Sequence, residues 1–393
     1  MDQTATLSNQ DHQKLDNFFK SCLHFQHRNI GYPVAADFNY SELFKFLQFS
    51  LNNCGDWAQE SNNPLNTFRF EKEVMEYFSD KFGTCLSESW GYVTNGGTEG
   101  NMYCCLLARE KFPQGTLYYS EDSHYSVDKI VKLLRIKHKV IKSLPNGEIN
   151  YDELKFEILI NKESNPIIFA NIGTTLYGAT DDIAKIQTIL SELNFKKNEF
   201  YLHADAALNG MILPFVDQPQ PYNFSDGIDS ISVSGHKMIG GPIPCGIVLA
   251  KAKNVESITN EVDYIAAPDK TISGSRNGFT PLVLWHAINS TSEAQKRARV
   301  QGCLNLAKEL TTLLIKKGIP AWRNCNSIIV VFPTPSESIW RKYGLANSKK
   351  HAHVVVTGHM IENPSLLYQL AEDMAKDIVN QRKNEAKNEA THC

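Results

Sequence analysis

The sequence has 393 residues, a formal net charge of −3, and 42% hydrophobic and 21% charged residues. This composition indicates a folded globular protein of two or three domains or a large enzyme subunit, and the absence of a basic surplus argues against a nucleic-acid partner. No apolar run reaches the ~18 residues that cross a bilayer, and the polar N-terminus lacks the pattern of a secretory signal. We therefore expect a cytoplasmic protein that contacts no membrane.

The nine cysteines are scattered along the chain, and no two of them form a CxxC pair. An odd number without paired spacing is typical of free thiols in a reducing compartment. We expect neither disulfide bridges nor a cysteine-bound metal.

Alternating apolar and amphipathic stretches follow a short N-terminal part. Residues 1–55 are predicted to form a helical segment that a Gly/Pro turn, "NIGYPV" (29–34), interrupts. Residues 56–280 are predicted to form a large α/β domain, because short apolar runs alternating with helices indicate a mostly parallel sheet covered by helices. The predicted strands are 116–120, 165–173, 199–207, 230–235 and an added strand at 245–251, and the predicted helices are 99–112 and 181–195.

The C-terminal part is predicted to form a smaller α+β domain over residues 281–379. Its predicted elements are a long helical run at 281–317, strands at 326–333 and 351–358, and a last helix from Pro364 to about Val379. The tail, 380–393, is polar and is expected to fray. His351 and His353 are expected on the surface of an edge strand, and we assign them no function.

The first of four polar patches is "TNGGTEGN" (94–101), where Gly96 and Gly97 precede a predicted helix. Thr98 is a candidate N-cap, and the backbone N–H groups at such a helix start can bind a phosphate that the glycines allow to approach. The patch is neither a Walker loop nor a GxGxxG motif. An ordinary helix cap is the alternative.

The second patch is "HADAAL" (203–208), with Asp205 at the end of an apolar strand. A buried carboxylate requires a partner, and a protonated ring nitrogen is one candidate. The alternatives are a helix-capping aspartate or an arginine pair. His203 and Asp205 are expected to project from opposite faces of the strand, and no third ligand has metal-site spacing, so a metal site is disfavoured.

The third and fourth patches add a ring and an amine. His124 in "SEDSHYS" follows a predicted strand, where it could stack on a flat cofactor or form a structural hydrogen bond. Lys237 in "SVSGHKMIGG" is a surface lysine or, if desolvated, a nucleophile that forms a Schiff base. Together, the four patches match the requirements of pyridoxal phosphate, which needs a lysine, a carboxylate at its ring nitrogen and a phosphate site.

Several motifs resemble those of the group II pyridoxal-phosphate decarboxylases: "TNGGTEGN", "SHYSV", "NIGTT", "HADAAL", "SGHKMIGGPIPCG" and "TISGSRNG". The resemblance covers nearly the whole chain and is strongest to the bacterial branch that acts on histidine. It implies an α/β structure of pyridoxal-phosphate fold type I with a seven-stranded sheet, and the decarboxylation of histidine to histamine. Serine decarboxylation on the same scaffold is the alternative.

The resemblance also implies roles for residues around the cofactor. Lys237 would bind the cofactor covalently, Asp205 would pair with the pyridine nitrogen, and His124 and Ala207 would lie on the two ring faces. The residues implied in phosphate binding are Gly97, Thr98, Ser234 and His236. Thr174 in "NIGTT" would lie near the ring substituents.

The resemblance further implies a homodimer, with the possibility of a tetramer, in which N-terminal helices wrap the partner and Ser275 reaches the neighbouring subunit's phosphate. Tyr32, Pro33 and Ser327 would contact the substrate, as would His124. The proton donor to the substrate Cα would be Tyr264 or His124.

Three other functions remain open from the sequence. An aminotransferase or β-eliminating lyase would need an arginine for the substrate carboxylate, and Arg276 is the candidate. A binding protein without activity would not need the Lys237, Asp205 and His124 set. A metal hydrolase would have to use His203 and His236.

Overall fold

The computed structural model describes residues 7–26, 28–59, 62–263 and 267–391. The N-terminal part holds a helix with no buried residue, then an extended stretch, a 3₁₀ turn at Ser41–Gln48 and a short strand. Only part of the segment predicted as helical is therefore helical. Its elements and the helix that follows are α1 (Asn9–Gln26), β1 (Asn52–Cys54) and α2 (Phe68–Lys81).

The large domain contains the strands and helices that position the site. They are β2 (Ser89–Thr94), α3 (Gly97–Lys111), β3 (Thr116–Ser120), α4 (Ser126–Leu134), β4 (Lys137–Ile141), α5 (Tyr151–Ile160), β5 (Pro166–Asn171), α6 (Ile183–Glu192), β6 (Tyr201–Asp205), β7 (Ser230–Ser234) and β8 (Gly246–Lys251).

These strands form one seven-stranded sheet with the order β2-β8-β7-β6-β5-β3-β4. The strands from β7 to β4 are parallel, and β8 runs antiparallel to both of its neighbours. Every residue of β3, β5, β6 and β7 is buried, as expected for parallel strands with helices on both faces. The predicted mostly parallel α/β sheet is confirmed.

Short elements connect the sheet to two long helices. The short elements are α7 (Ala252–Val255), β9 (Asn260–Val262), β10 (Ala267–Asp269) and β11 (Ser275–Asn277). The two helices are α8 (Phe279–Asn289) and α9 (Glu293–Lys316). β9 pairs with β10, and β11 returns to pair with β1. The helical run predicted at 281–317 is broken because Ser292 starts a new helix with a capping box that includes Gln295.

The small domain packs a three-stranded antiparallel sheet against helices. Its elements are β12 (Ile329–Pro333), α10 (Glu337–Lys342), β13 (Ala346–Asn347), β14 (His351–Val355), α11 (His359–Glu362) and α12 (Ser365–Thr391). Two expectations are wrong here. β14 is the central strand, so His353 is buried and does not lie on an edge. The last helix continues past Val379 to Thr391, because the Ala, Glu, Lys and Gln residues of this tail favour helix.

The carboxyl ends of β3, β5, β6 and β7 meet at one edge of the large sheet because these strands are parallel. Open α/β sheets bind ligands at this edge. His124, Thr174, Asp205 and Lys237 all lie at or just after these strand ends. Among the described residues, no helix is both long and apolar enough to cross a membrane.

Candidate active site

A cavity of about 870 Å³ lies between this sheet edge and the small domain, within the range of small-molecule sites. We call its two sides the sheet-edge wall, built after β2, β3, β5, β6 and β7, and the small-domain wall, built by residues 31–33 with β12, β13 and β14. The predicted site residues that line the cavity are Tyr32, Pro33, Gly97, Thr98, His124, Thr174, Asp205, Ala207, Ser234, His236 and Lys237.

The start of α3 forms an open cradle in the sheet-edge wall. Gly96 is the N-cap, with a φ of 142° that only glycine adopts readily, so Thr98 is not the N-cap as predicted. A Cβ at Gly97 would lie 2.8 Å from Ser234 Oγ, which means that a larger residue would close the cradle. The first N–H groups of α3 have no intrahelical acceptor and are available to an anion.

His236 and Ser234 complete this part of the wall. His236 Nδ1 lies 3.0 Å from the Cys245 carbonyl oxygen, which fixes the ring, and burial lowers the pKa of His236. Ser234 is buried at the end of β7, and its N–H donates to the carbonyl of Ala207 over 3.1 Å. The end of β7 and the loop after β6 are thereby held together.

Asp205, at the end of β6, is 7% exposed and accepts two hydrogen bonds from neutral donors. Asn101 Nδ2 donates to Oδ2 over 2.9 Å, and the Ala207 N–H donates to Oδ1 over 3.2 Å. Both bonds fix the orientation of the carboxyl group. His203 also bonds Asn101, through Nε2 at 3.0 Å, so His203 and Asp205 lie on the same face of β6. The predicted opposite orientation is wrong because residues i and i+2 of a strand share a face.

Lys237 and His124 lie within the electrostatic range of Asp205. Burial lowers the pKa of Lys237, and the Asp205 charge partly opposes this shift. Burial also lowers the pKa of His124, with Asp205 raising it and Lys237 lowering it. Among the described residues, none forms a hydrogen bond or an ion pair with Lys237 Nζ, so this amine is available to a ligand in the cavity.

The small-domain wall brings together residues that are far apart in sequence. Tyr32 and Pro33 line the cavity beside Ile329 and His353. His353 Nε2 lies 3.0 Å from the Gly31 carbonyl oxygen, and burial lowers the pKa of His353 to about 4, so the ring is neutral.

Three described residues singled out in the sequence, Ser327, Ser275 and Arg276, do not line the cavity. Ser327 is fully buried behind the small-domain wall, where its Oγ accepts a hydrogen bond from the Ile329 N–H over 3.1 Å. In this position its side chain does not contact the cavity. Ser275 is exposed on β11 and hydrogen-bonded to Asn52. Arg276 is buried in an ion pair with Glu71. Tyr264 lies outside the described residues.

Among the lining residues to which the sequence analysis gave no role are Asn101 and His353. Asn101 lies four residues after Gly97, a spacing that places both on one face of α3, and this spacing could have identified it. His353 alternates with apolar residues in "HAHVV", which is a pattern for one buried face, but the sequence contains no sign that this face meets a cavity. The described residues contain no cluster of three or more potential metal ligands.

Comparison with known proteins finds a matching domain family and relatives of high sequence identity. Residues 62–320 match the pyridoxal-dependent decarboxylase conserved domain. The chain is 61% identical to a histidine decarboxylase of Pseudomonas entomophila over 90% of this chain and 88% of that protein. It is 60% identical to a histidine decarboxylase of Morganella morganii, over 91% of this chain and 94% of that protein.

Solved structures share the fold at lower identity. An L-methionine decarboxylase from Streptomyces sp. 590 has a TM-score of 0.86 and 23% identity, covering 95% of this chain and 96% of that one. A sphingosine-1-phosphate lyase from Burkholderia pseudomallei has a TM-score of 0.77 and 16% identity, covering 100% of this chain and 95% of that one. The domain match and the two close relatives show that this chain belongs to the pyridoxal-dependent decarboxylase family.

Proposed function

We propose that this protein decarboxylates L-histidine to histamine and carbon dioxide with pyridoxal phosphate as cofactor. The observation that carries the proposal is that Lys237, Asp205 and His124 line one cavity in a member of this family. Histidine is favoured as substrate because relatives named histidine decarboxylase are 56–61% identical over most of the chain.

The sheet-edge wall fits the cofactor. Lys237 would supply the amine for covalent attachment, Asp205 would pair with the ring nitrogen, and His124 and Ala207 would lie on the two faces of the ring. The phosphate would occupy the cradle at the start of α3, which a side chain at Gly97 would fill. The residues beside this cradle are Thr98, Ser234 and His236, and Thr174 would lie near the ring substituents. When bound, pyridoxal phosphate accepts the electrons of the breaking Cα–carboxylate bond.

The protein's own contribution is to hold charges and protons in place. Asp205, held in place by two neutral donors, would keep a proton on the ring nitrogen. Burial lowers the pKa of Lys237, which increases its fraction as a neutral amine that can attack a carbonyl carbon. His124, with Nδ1 2.8 Å from Ser126 Oγ, is a fixed ring that can donate a proton to Cα. Tyr264 is the second candidate donor.

The small-domain wall is the site proposed for the imidazole side chain. Tyr32, Pro33 and Ile329 face the cavity there. Ser327 would act on the substrate through Ile329, whose N–H it binds.

The geometry disfavours an aminotransferase. Arg276, the arginine that would have to hold the substrate carboxylate, is 4% exposed, pairs with Glu71, and donates through Nη2 to the Gly55 carbonyl over 3.1 Å. It is not among the residues that line the cavity. A decarboxylase benefits from leaving the departing carboxylate free of such a clamp.

A homodimer is proposed from the N-terminal helix. α1 has no buried residue, and its apolar residues Leu15, Phe18, Phe19 and Leu23 are each more than half exposed. Their spacing places them on one face, which is typical of a helix that packs on a partner. Ser275 is exposed and lies outside the cavity of its own subunit, and in the proposed dimer it would reach the phosphate of the neighbouring subunit.

The dimer is tested by light scattering on a Phe18→Glu, Phe19→Glu variant. We expect a shift from dimer to monomer and a loss of activity, because two buried charges oppose association. Lys20→Glu on the same helix is the control and should stay dimeric. A wild-type monomer with full activity would contradict the proposal.

The substrate is tested by measuring carbon dioxide and amine release from L-histidine, L-serine, L-methionine and L-glutamate with the purified protein and pyridoxal phosphate. We expect histidine to be preferred by at least about 100-fold in kcat/KM, since an imidazole site leaves polar groups unpaired with other side chains. A preference for L-serine would show that the protein is a serine decarboxylase on the same scaffold and would contradict the proposed substrate. If carbon dioxide is released from none of these amino acids, the proposal that the protein is a decarboxylase is wrong.

A further inference from the structure

A line of four polar side chains runs beneath the cavity and ends at Asp205. Ser230 at the start of β7, His203 on β6 and Asn101 on α3 are each 2% exposed or less. His203 Nδ1 lies 3.0 Å from Ser230 Oγ, and His203 Nε2 lies 3.0 Å from Asn101 Oδ1. Asn101 Nδ2 lies 2.9 Å from Asp205 Oδ2. The proposed decarboxylation does not by itself require Ser230 or His203.

The donors and acceptors along this line have one consistent assignment. An ionised Asp205 only accepts hydrogen bonds, so Asn101 must turn its NH₂ group toward it. Asn101 Oδ1 then faces His203, whose Nε2 must carry the proton. His203 Nδ1 accepts in turn from the Ser230 hydroxyl. Burial lowers the pKa of His203 to about 3, so the ring is neutral and carries the single proton that this direction requires.

The direction of the line matters for Asp205. Asn101 alone could rotate its amide and present Oδ1 to the carboxylate, which would repel the charge or force Asp205 to take up a proton. The His203 Nε2–H prevents this rotation by occupying Oδ1. Because all three supporting residues are neutral, they orient the carboxylate without neutralising its charge, which stays available to a cation in the cavity.

We propose that His203 and Asn101 are positioning residues that hold Asp205 ionised and oriented toward the cavity, and thereby set the protonation of the cofactor's ring nitrogen. The inference rests on the proposed function for the identity of the cofactor. A purely structural role is the competing account: in that case an isosteric apolar residue at position 203 would change stability alone.

The test compares His203→Gln with His203→Leu in the purified protein. The Gln side chain can still donate to Asn101 Oδ1, whereas Leu cannot. We expect His203→Leu to weaken equilibrium pyridoxal-phosphate binding by roughly tenfold and to displace the pH midpoint of the bound cofactor's visible absorbance by about half a unit or more. His203→Gln should restore both values to within about twofold of wild type and a few tenths of a unit.

Asn101→Asp gives a second test that does not depend on the His203 variants folding. It replaces the donor to Asp205 by a carboxylate, so we expect a larger loss of cofactor affinity than in His203→Leu. Thr116→Val is the matched control: Thr116 is equally buried in the same sheet and hydrogen-bonded to Ser164, but it lies at the opposite edge. It should lose stability without changing cofactor affinity or the absorbance midpoint.

The outcomes separate this inference from the proposed function. If folded His203→Leu or Asn101→Asp retains wild-type cofactor affinity and absorbance midpoint, the positioning role is wrong while the decarboxylase stands. If Thr116→Val shifts the midpoint as much as His203→Leu does, the effect is a general loss of stability and the positioning role is also wrong. If the wild-type protein binds no pyridoxal phosphate, the proposed function itself fails.

Discussion

The two walls of the cavity are built in different ways. The sheet-edge wall takes its residues from positions at or just after parallel strands of one sheet, and several of them hold one another through short hydrogen bonds. The small-domain wall joins residues 31–33 to β12, β13 and β14, which lie about 300 or more positions later in the chain. The first wall is suited to one fixed cofactor. The second wall is a surface where substitutions can change which substrate side chain is preferred, without disturbing the residues proposed to bind the cofactor.

The largest effect is expected at Lys237. Among the described residues, Lys237 is the one lysine that lines the cavity, so Lys237→Ala removes the amine proposed to bind the cofactor, and turnover should fall by about 10³-fold or more while the protein remains folded. Activity is followed by histamine formation, and folding by circular dichroism. Lys185→Ala, at an exposed position on α6, is the control. Full activity in Lys237→Ala would exclude the role given to the sheet-edge wall.

Asp205→Asn should have the next largest effect. The amide keeps the shape of the side chain but removes the charge, so kcat should fall by roughly 10²- to 10³-fold and cofactor should still bind. Steady-state kinetics with saturating pyridoxal phosphate measures this. Asp152→Asn, exposed at the start of α5, should behave as wild type. Unchanged turnover in Asp205→Asn would mean that the ring nitrogen has another partner.

A change in the small-domain wall should act on the substrate alone. Tyr32 is 50% exposed, so Tyr32→Ala is expected to fold normally. It should raise KM for histidine by about tenfold, with kcat changed by less and the cofactor absorbance unaltered. A variant that instead lost its cofactor would show that the two walls are not independent.

The smallest effect is a difference in acid stability. Each wall holds a buried neutral histidine, and burial lowers the pKa of His203 to about 3. The native state therefore stays unprotonated at His203 while the unfolded chain, with a pKa near 6.5, binds a proton, so stability falls as the pH decreases from 6.5 toward 3. From pH 7 to pH 5 this amounts to about 2 kcal/mol of unfolding free energy.

His203→Gln should lack this contribution. Urea unfolding of the cofactor-free wild type and variant at pH 7 and pH 5 measures the difference, and the other titrating groups cancel in the comparison. Equal losses of stability in the two proteins would show that His203 is protonated in the native state.

The same contrast explains what could be predicted from sequence. β3, β6 and β7 are short apolar runs that end in polar residues, so their ends and the residues after them could be identified locally. β4, "KHKVI", escaped prediction because an edge strand is largely exposed and carries charges in place of an apolar run. β2 escaped as well, since Gly91 interrupts its pattern where the chain packs against the backbone of Val248.

The small-domain wall could not be predicted by local reasoning. The contact between His353 and Gly31 depends on how two domains pack, and no periodicity in "HAHVVVTG" indicates which partner its buried face meets. The resemblance pointed to Ser327, but the packing of its hydroxyl against the Ile329 N–H directs it away from the cavity. Asn101 was missed for a different reason. Its role depends on the hydrogen bond from this α3 residue to Asp205 at the end of β6, and this contact is set by how the helix packs on the sheet.

The central claim is that the cofactor is bound by Lys237 at the sheet edge. It is tested most directly by reducing the pyridoxal-phosphate-loaded protein with borohydride, digesting it, and locating the modified lysine by mass spectrometry. The account predicts a single pyridoxyl adduct on Lys237 in the wild type and its loss in Lys237→Ala. An adduct on another lysine, or no adduct in the wild type, would contradict it.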